Sequence, residues 1–164
     1  MNKYEIKKFY LFLLFNVPIL IGQNIIYTKI YPSGKPNIIS YIVNKGVDKV
    51  RTEEYFGNGT LKKEGYYQFG SKQGKWKSYY SSGNLMKKEN FHNDKLDGEM
   101  ITWYQNGKKK EKGNFRNGKR EGIFFSWKKD GSLYSKKSFV NGLMCYVIEY
   151  SDSGSIVTVD NYCD

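Results

Sequence analysis

The chain has 164 residues and a net charge of +11, with 15 Tyr, 10 Phe and 3 Trp and no alanine. Lacking the best helix former while rich in aromatic and β-branched residues, it leans strongly towards β-structure, as one domain or a short repeat array. Seventeen glycines against three prolines argue for many tight turns, and the sparse aliphatic residues beyond the first 30 positions suit a thin sheet better than a two-sheet core.

Residues 1–22 read as a signal peptide. Lys3, Lys7 and Lys8 form a basic start, and the apolar run Phe9 to Ile21 follows, interrupted by Asn16 and Pro18. The run is short against the roughly 20 apolar residues of a spanning helix. The expectation is an exported protein cleaved near Gly22, or one held by an N-terminal anchor if the segment is retained. No cysteine stands near the end of the run, which disfavours a lipoprotein anchor. Cleavage would remove Lys3, Lys7, Lys8 and Glu5, lowering the charge from +11 to +9. A basic exported chain suggests an anionic membrane, a cell-wall polymer or an acidic protein as partner; nucleic acid is not expected.

From residue 23 to 164 the sequence repeats. Gly59, Gly83, Gly107 and Gly131 are each 24 residues apart, with Gly34 and Gly154 extending the series to about six copies, irregular at both ends. The pairs Asn58-Gly59, Ser82-Gly83, Asn106-Gly107 and Asp130-Gly131 separate strand-like runs and predict hairpin turns. A second turn follows each hairpin, with Gly74, Gly98 and Gly122 again 24 apart. If the first turns are two-residue type I′ turns pairing Tyr80 with Leu85, alternation puts four recurring positions on one face. These are Trp76, Met100 and Phe124; Tyr80 and Tyr104; Leu61, Leu85 and Leu133; and Tyr67, Phe91, Phe115 and Phe139. Stacked hairpins would then run aromatic and aliphatic ladders along that face, since a single hairpin is marginal in water.

The opposite face would carry Tyr55, Tyr79, Trp103 and Trp127, flanked by Lys62, Lys88, Lys110, Lys112 and Lys136. Two readings stand beside each other. The rings pack against themselves with the lysines as solubilising charge, or the ladder is a binding surface. A bulge in the hairpins would disturb either assignment.

Catalytic chemistry has no visible footing. The only histidine, His92, sits in a turn beside Asn93 and Asp94, and no nucleophile–base arrangement, phosphate loop or recurring carboxylate pair is present. A non-enzymatic protein without cofactor or metal is expected. Cys145 and Cys163 fall on the two strands of the last hairpin. If Tyr150 pairs with Ile156, Cys145 faces Asn161 and Cys163 lies one diagonal step away, which makes a disulfide feasible in an oxidising compartment.

The motif 74-GKWKSYYSSG-83, its echo 98-GEMITWYQNG-107, and the turns at 91–98 and 115–122 resemble the MORN-variant repeats that occur in YwqK-type antitoxins. The resemblance spans roughly residues 30 to 162. It implies an elongated, twisted antiparallel sheet with one hairpin per repeat, and a scaffold for protein–protein interaction. An antitoxin or immunity role would mean binding a toxin; an exported chain could do so only outside the cytoplasm. The second functional expectation is a basic peripheral binder of anionic membrane or cell-wall polymer.

Overall fold

The computed structural model describes residues 24–44, 46 and 48–163; the expected signal segment lies outside them. The strands are β1 (Asn24–Ile30), β2 (Pro36–Asn44), β3 (Lys49–Tyr55), β4 (Leu61–Gln68), β5 (Ser71–Tyr79), β6 (Leu85–His92) and β7 (Lys95–Leu96). They continue as β8 (Gly98–Trp103), β9 (Lys109–Arg116), β10 (Lys119–Trp127), β11 (Leu133–Val140), β12 (Leu143–Tyr150) and β13 (Ile156–Asn161). Each pairs antiparallel with its neighbour in sequence, giving one open sheet in chain order, with the two-residue β7 folded back on β6. No α-helix occurs among the described residues. The fold is the all-β stack of hairpins that the 24-residue period predicts.

The turn chemistry differs from the I′ expectation. In the hairpin β5–β6, Gly83 N–H donates to Tyr80 O and Tyr80 N–H donates to Asn84 O, each at 2.9 Å. The same pair of bonds closes the turns at Tyr31, Phe56, Tyr104, Lys128 and Ser151. Only the glycine is left-handed, as at Gly83 with φ +90°, whereas Asn58, Ser82, Asn106 and Asp130 are not. This is a three-residue loop followed by a bulge, which requires glycine at one position and not a left-handed pair. Two consecutive positive φ values occur instead at the opposite end of the unit, at Phe69-Gly70, Asn93-Asp94, Asn117-Gly118 and Asn141-Gly142. There Gln68 pairs Ser71 and Arg116 pairs Lys119, so these connections are the two-residue ones.

The bulge recurs with the repeat. It falls between Glu54 and Tyr55, Ser78 and Tyr79, Thr102 and Trp103, Ser126 and Trp127, and Glu149 and Tyr150. Tyr79 therefore pairs with Leu85 while Ser78 pairs with Lys87, and Met86 is the extra residue. Leu61, Leu85 and Leu133, expected on the face of Trp76, stand across from Tyr55, Tyr79 and Trp127 instead. The extra residue breaks the strict alternation from which that expectation came.

The remaining ladder positions hold, and they form the core face. Trp76, Met100, Phe124, Phe139 and Val147 are buried, with Phe124 only 2% exposed. A single sheet achieves this by edge-to-face ring packing between neighbouring strands. Trp76 lies 5.1 Å from Tyr67 and 6.2 Å from Phe91; Phe124 lies 5.5 Å from Phe115 and 5.1 Å from Phe139. Two glycines make room. A Cβ on Gly65 would lie 2.1 Å from the Trp76 indole, and one on Gly113 would lie 2.4 Å from the Phe124 ring. Long cations then roof the rings: Lys63 and Lys72 over Trp76, and Arg120 over Phe124 and Phe139. Burial and the neighbouring Lys72 charge lower the pKa of Lys63.

Hairpins are also stitched together at their turns. Tyr31, Tyr80 and Tyr104 each donate a hydroxyl to the carbonyl of Tyr55, Trp103 and Trp127 in the next hairpin, at 2.7–2.8 Å. Asn58, Asn84 and Asn106 donate side-chain amides to Ser81, Gln105 and Lys129 carbonyls. At the last hairpin Lys128 replaces the tyrosine and pairs with Asp152. Cys145 and Cys163 are joined as a disulfide, with Cα atoms 4.7 Å apart. Tyr150 does pair with Ile156, but the adjacent bulge moves Asn161 across from Tyr146 rather than Cys145.

Candidate functional site: the open face

The side opposite the ring ladder, here the open face, has no second layer over it among the described residues. Strand pairing threads one continuous row along it: Glu53, Glu64, Lys77, Lys88, Ile101, Lys112, Phe125, Lys136, Ile148 and Val159. Two residues nearer the turns runs the aromatic column Tyr55, Tyr79, Trp103 and Trp127. Tyr150, not foreseen from the sequence, occupies the same repeat position in the last hairpin. All five are half-buried.

The row changes character along its length. On β2–β5 it is a closed polar network. Arg51 bridges Glu53 and Glu64, each at 2.8 Å. Tyr41 and Tyr55 donate to Glu53 at 2.9 and 2.7 Å, and Tyr79 donates to Glu64 at 2.6 Å beside Lys77 at 3.3 Å. Burial and the hydrogen bond to Glu53 push the Tyr41 hydroxyl up to about 12, and burial with the bond to Glu64 does the same for Tyr79. For Glu64 burial opposes the charge, yet the bonds from Tyr79 and Lys77 and the charges of Lys77 and Arg51 outweigh it and lower its pKa.

From β6 onward acceptors become scarce. Lys88 stands directly opposite Lys77. Lys112 has one exposed partner, Glu99, at 2.9 Å. Lys136 lies over rings, those of Phe125 and Tyr150 at 6.0 and 5.8 Å. Phe125 and Trp127 stack at 5.9 Å with an interplanar angle of 22°. Lys109, cross-strand partner of Trp103, brings its ammonium 5.9 Å from the Trp127 ring.

The structure thus brings Tyr55, Tyr79, Trp103, Trp127, Lys88, Lys112 and Lys136 to one side and separates two other lysines from them. Lys62 pairs with Glu54 at 2.6 Å and lies against Phe56, and Lys110, the same repeat position, lies 5.7 Å from the Tyr104 ring. Glu54 belongs to the core-face row with Lys63 and Ser78. Both lysines are the extra residues of the bulges, which explains their departure from the expected parity. Lys109 enters in place of Lys110. A bulge next to each turn is the signal that would have found it.

His92 is exposed at the end of β6, beside the turn. No group of three or more potential metal-binding side chains occurs among the described residues, and no helix there is long and apolar enough to cross a membrane. The geometry offers a cationic and aromatic surface.

Its most regular part is also where likeness to known proteins lies. Residues 72–93 and 96–117 match the MORN repeat variant. The two MORN-variant segments run from β5 through β9, and so carry Tyr79, Trp103, Lys88 and Lys112. No curated protein matches the chain. MORN-type repeats are generally protein- or membrane-binding modules, and the matched hairpins are consistent with a repeat scaffold.

Proposed function

We propose that the chain is an exported scaffold that holds a protein partner on the open face of β5–β12, with Tyr79, Trp103 and Trp127 as the apolar anchors. The observation that carries this is the segregation of the two ring systems. The buried ladder stabilises the sheet, so the second column is free for contact. Export fits the basic apolar N-terminus in the sequence, and it fits the Cys145–Cys163 bond, which an oxidising compartment would preserve. Within that reading the partner is a toxin or an envelope protein, and an immunity role would act outside the cytoplasm.

The test is the triple variant Tyr79→Ser, Trp103→Ser, Trp127→Ser used as bait beside the natural chain. Loss of the captured partner with unchanged β-sheet circular dichroism is expected. Loss of the β-sheet signal would instead make the column part of the core.

The Lys77–Lys88 juxtaposition favours a second reading, a peripheral binder of anionic membrane or cell-wall polymer. Such binding would weaken steeply with salt, because exposed charges are screened within about 8 Å at physiological ionic strength. Retention of binding at high salt would end it.

A further inference from the structure

Read straight across the paired strands, the open face from β6 to β12 alternates without a break: Lys88, Ile101, Lys112, Phe125, Lys136, Ile148. Neighbouring strands are about 4.8 Å apart. Lysines therefore recur about every 9.6 Å, with an apolar side chain midway between them. The column Tyr79, Trp103, Trp127 and Tyr150 runs alongside at one aromatic per hairpin. Among the described residues no hydrogen bond or ion pair ties up Lys88, and Lys112 is paired with the exposed Glu99; the cross-strand neighbour of Lys88 is Lys77, a like-charge pairing that is unfavourable by itself. The row has the charge and the period of a surface waiting for an anionic counterpart.

We infer that this row receives an acidic amphipathic helix of a protein partner, laid across the strands. A helix rises 1.5 Å per residue, so side chains seven apart on one face are about 10.5 Å apart. That is within about 1 Å of the lysine spacing. Carboxylates placed once per heptad meet Lys88, Lys112 and Lys136. Apolar side chains half a heptad on fall over Ile101, Phe125 and Ile148, and those on the flank reach the aromatic column. The mismatch grows by about 1 Å per hairpin, which flexible lysine stems absorb over three hairpins. An extended strand presents same-face side chains about every 6.7 Å and loses step with the lysines at the second one. This inference rests on the protein-binding reading above and adds the chemistry and conformation of what is bound.

The probe is a stapled helical peptide of three heptads with one Glu per heptad and Leu midway between, titrated against the full chain by fluorescence anisotropy. The triple reversal Lys88→Glu, Lys112→Glu, Lys136→Glu is expected to weaken binding roughly a hundredfold, near the sum of three rim charge pairs. Reversal of Lys95, Lys119 and Lys129, with the same change of net charge, is expected to weaken it less than about threefold. A stapled peptide of equal composition with its glutamates off the heptad is expected to bind at least about tenfold more weakly than the probe. Equal loss in both triple variants, equal affinity for the off-heptad peptide, or preference for phosphatidylglycerol vesicles over the probe would each overturn the inference. Should the triple reversal fail to fold, Lys88→Glu and Lys136→Glu singly are each expected to cost about fivefold. A natural partner lost with the Tyr79, Trp103 and Trp127 substitutions but retained by the lysine reversals would keep the scaffold and overturn the helix.

Discussion

On the core face, Trp76 lies over the bare Cα of Gly65 and Phe124 over that of Gly113, while on the open face of the same strands Tyr79 reaches Glu64 and Phe125 stacks on Trp127. At Gly65 and Gly113 the core face tolerates no added side-chain atom, because the Trp76 and Phe124 rings already fill that space. The open face is saturated only as far as β5. Glu64 and Lys88 occupy the same repeat position, yet one gathers Arg51, Lys77 and Tyr79 and the other faces a second lysine. Tight ring packing therefore sits on one side of the sheet, and on the other the residue at one repeat position decides where the polar network ends.

The largest expected effect comes from breaking the core face. Gly113→Val would force a branched side chain into the Phe124 ring and should destabilise the sheet by about 3 kcal/mol or prevent folding; urea unfolding measures it. Glu64→Lys, which copies the residue found one and two hairpins later, should cost about 2 kcal/mol by leaving Arg51 and Lys77 facing a third cation and the Tyr79 hydroxyl without its acceptor. The same denaturation series ranks it below Gly113→Val.

Alkaline pH should erode the network of the first half. Tyr41 and Tyr79 are held up to about 12 in the folded chain, against 10.0 for a free tyrosine. Between those values the unfolded chain binds fewer protons than the folded one, so stability falls as pH rises from about 10 and the contribution is lost above about 12. Melting temperature against pH should show this decline, and the double variant Tyr41→Phe, Tyr79→Phe should make it shallower, leaving the share of Tyr55, whose hydroxyl is also raised by burial and its bond to Glu53.

Tyr104→Phe removes one hydroxyl donated to the Trp127 carbonyl and should cost about 1 kcal/mol, readable as a small fall in the denaturation midpoint. The smallest effect has the opposite sign. Lys88→Glu places a carboxylate opposite Lys77 and should stabilise the fold by up to about 1 kcal/mol. Were it to destabilise, the like-charge account of the second half would be wrong.

The period was legible because turn glycines and ring positions recur at 24 residues, and strand order followed from it. The faces were legible only in part. Trp76, Phe124 and the rings beside them lie far enough from the turns for alternation to place them, whereas Leu85 lies beyond a bulge and Lys110 is itself the unpaired residue that resets the parity. Asn-Gly and Asp-Gly suit several turn types, and only the carbonyl positions distinguish a three-residue loop from a two-residue one. The Tyr–Glu–Arg network was hidden for another reason. Its members Tyr41, Glu53, Glu64 and Tyr79 come from four strands, and no spacing within one repeat brings them together.

Strand order that follows chain order has a consequence for how the molecule comes apart. Apart from the short β7, each strand meets only its two neighbours in the sheet order, so order passes along the sheet in one dimension, as in a row of coupled switches. Loop closure is always short, which favours rapid growth from any hairpin that forms first. A defect at the third hairpin would not weaken the whole evenly; it would leave two shorter arrays, each unzipping from its own new end. The Cys145–Cys163 bond puts a covalent clasp on the last described hairpin. Reducing Cys145–Cys163 should quicken amide exchange in β12 and β13 long before it is felt at β5.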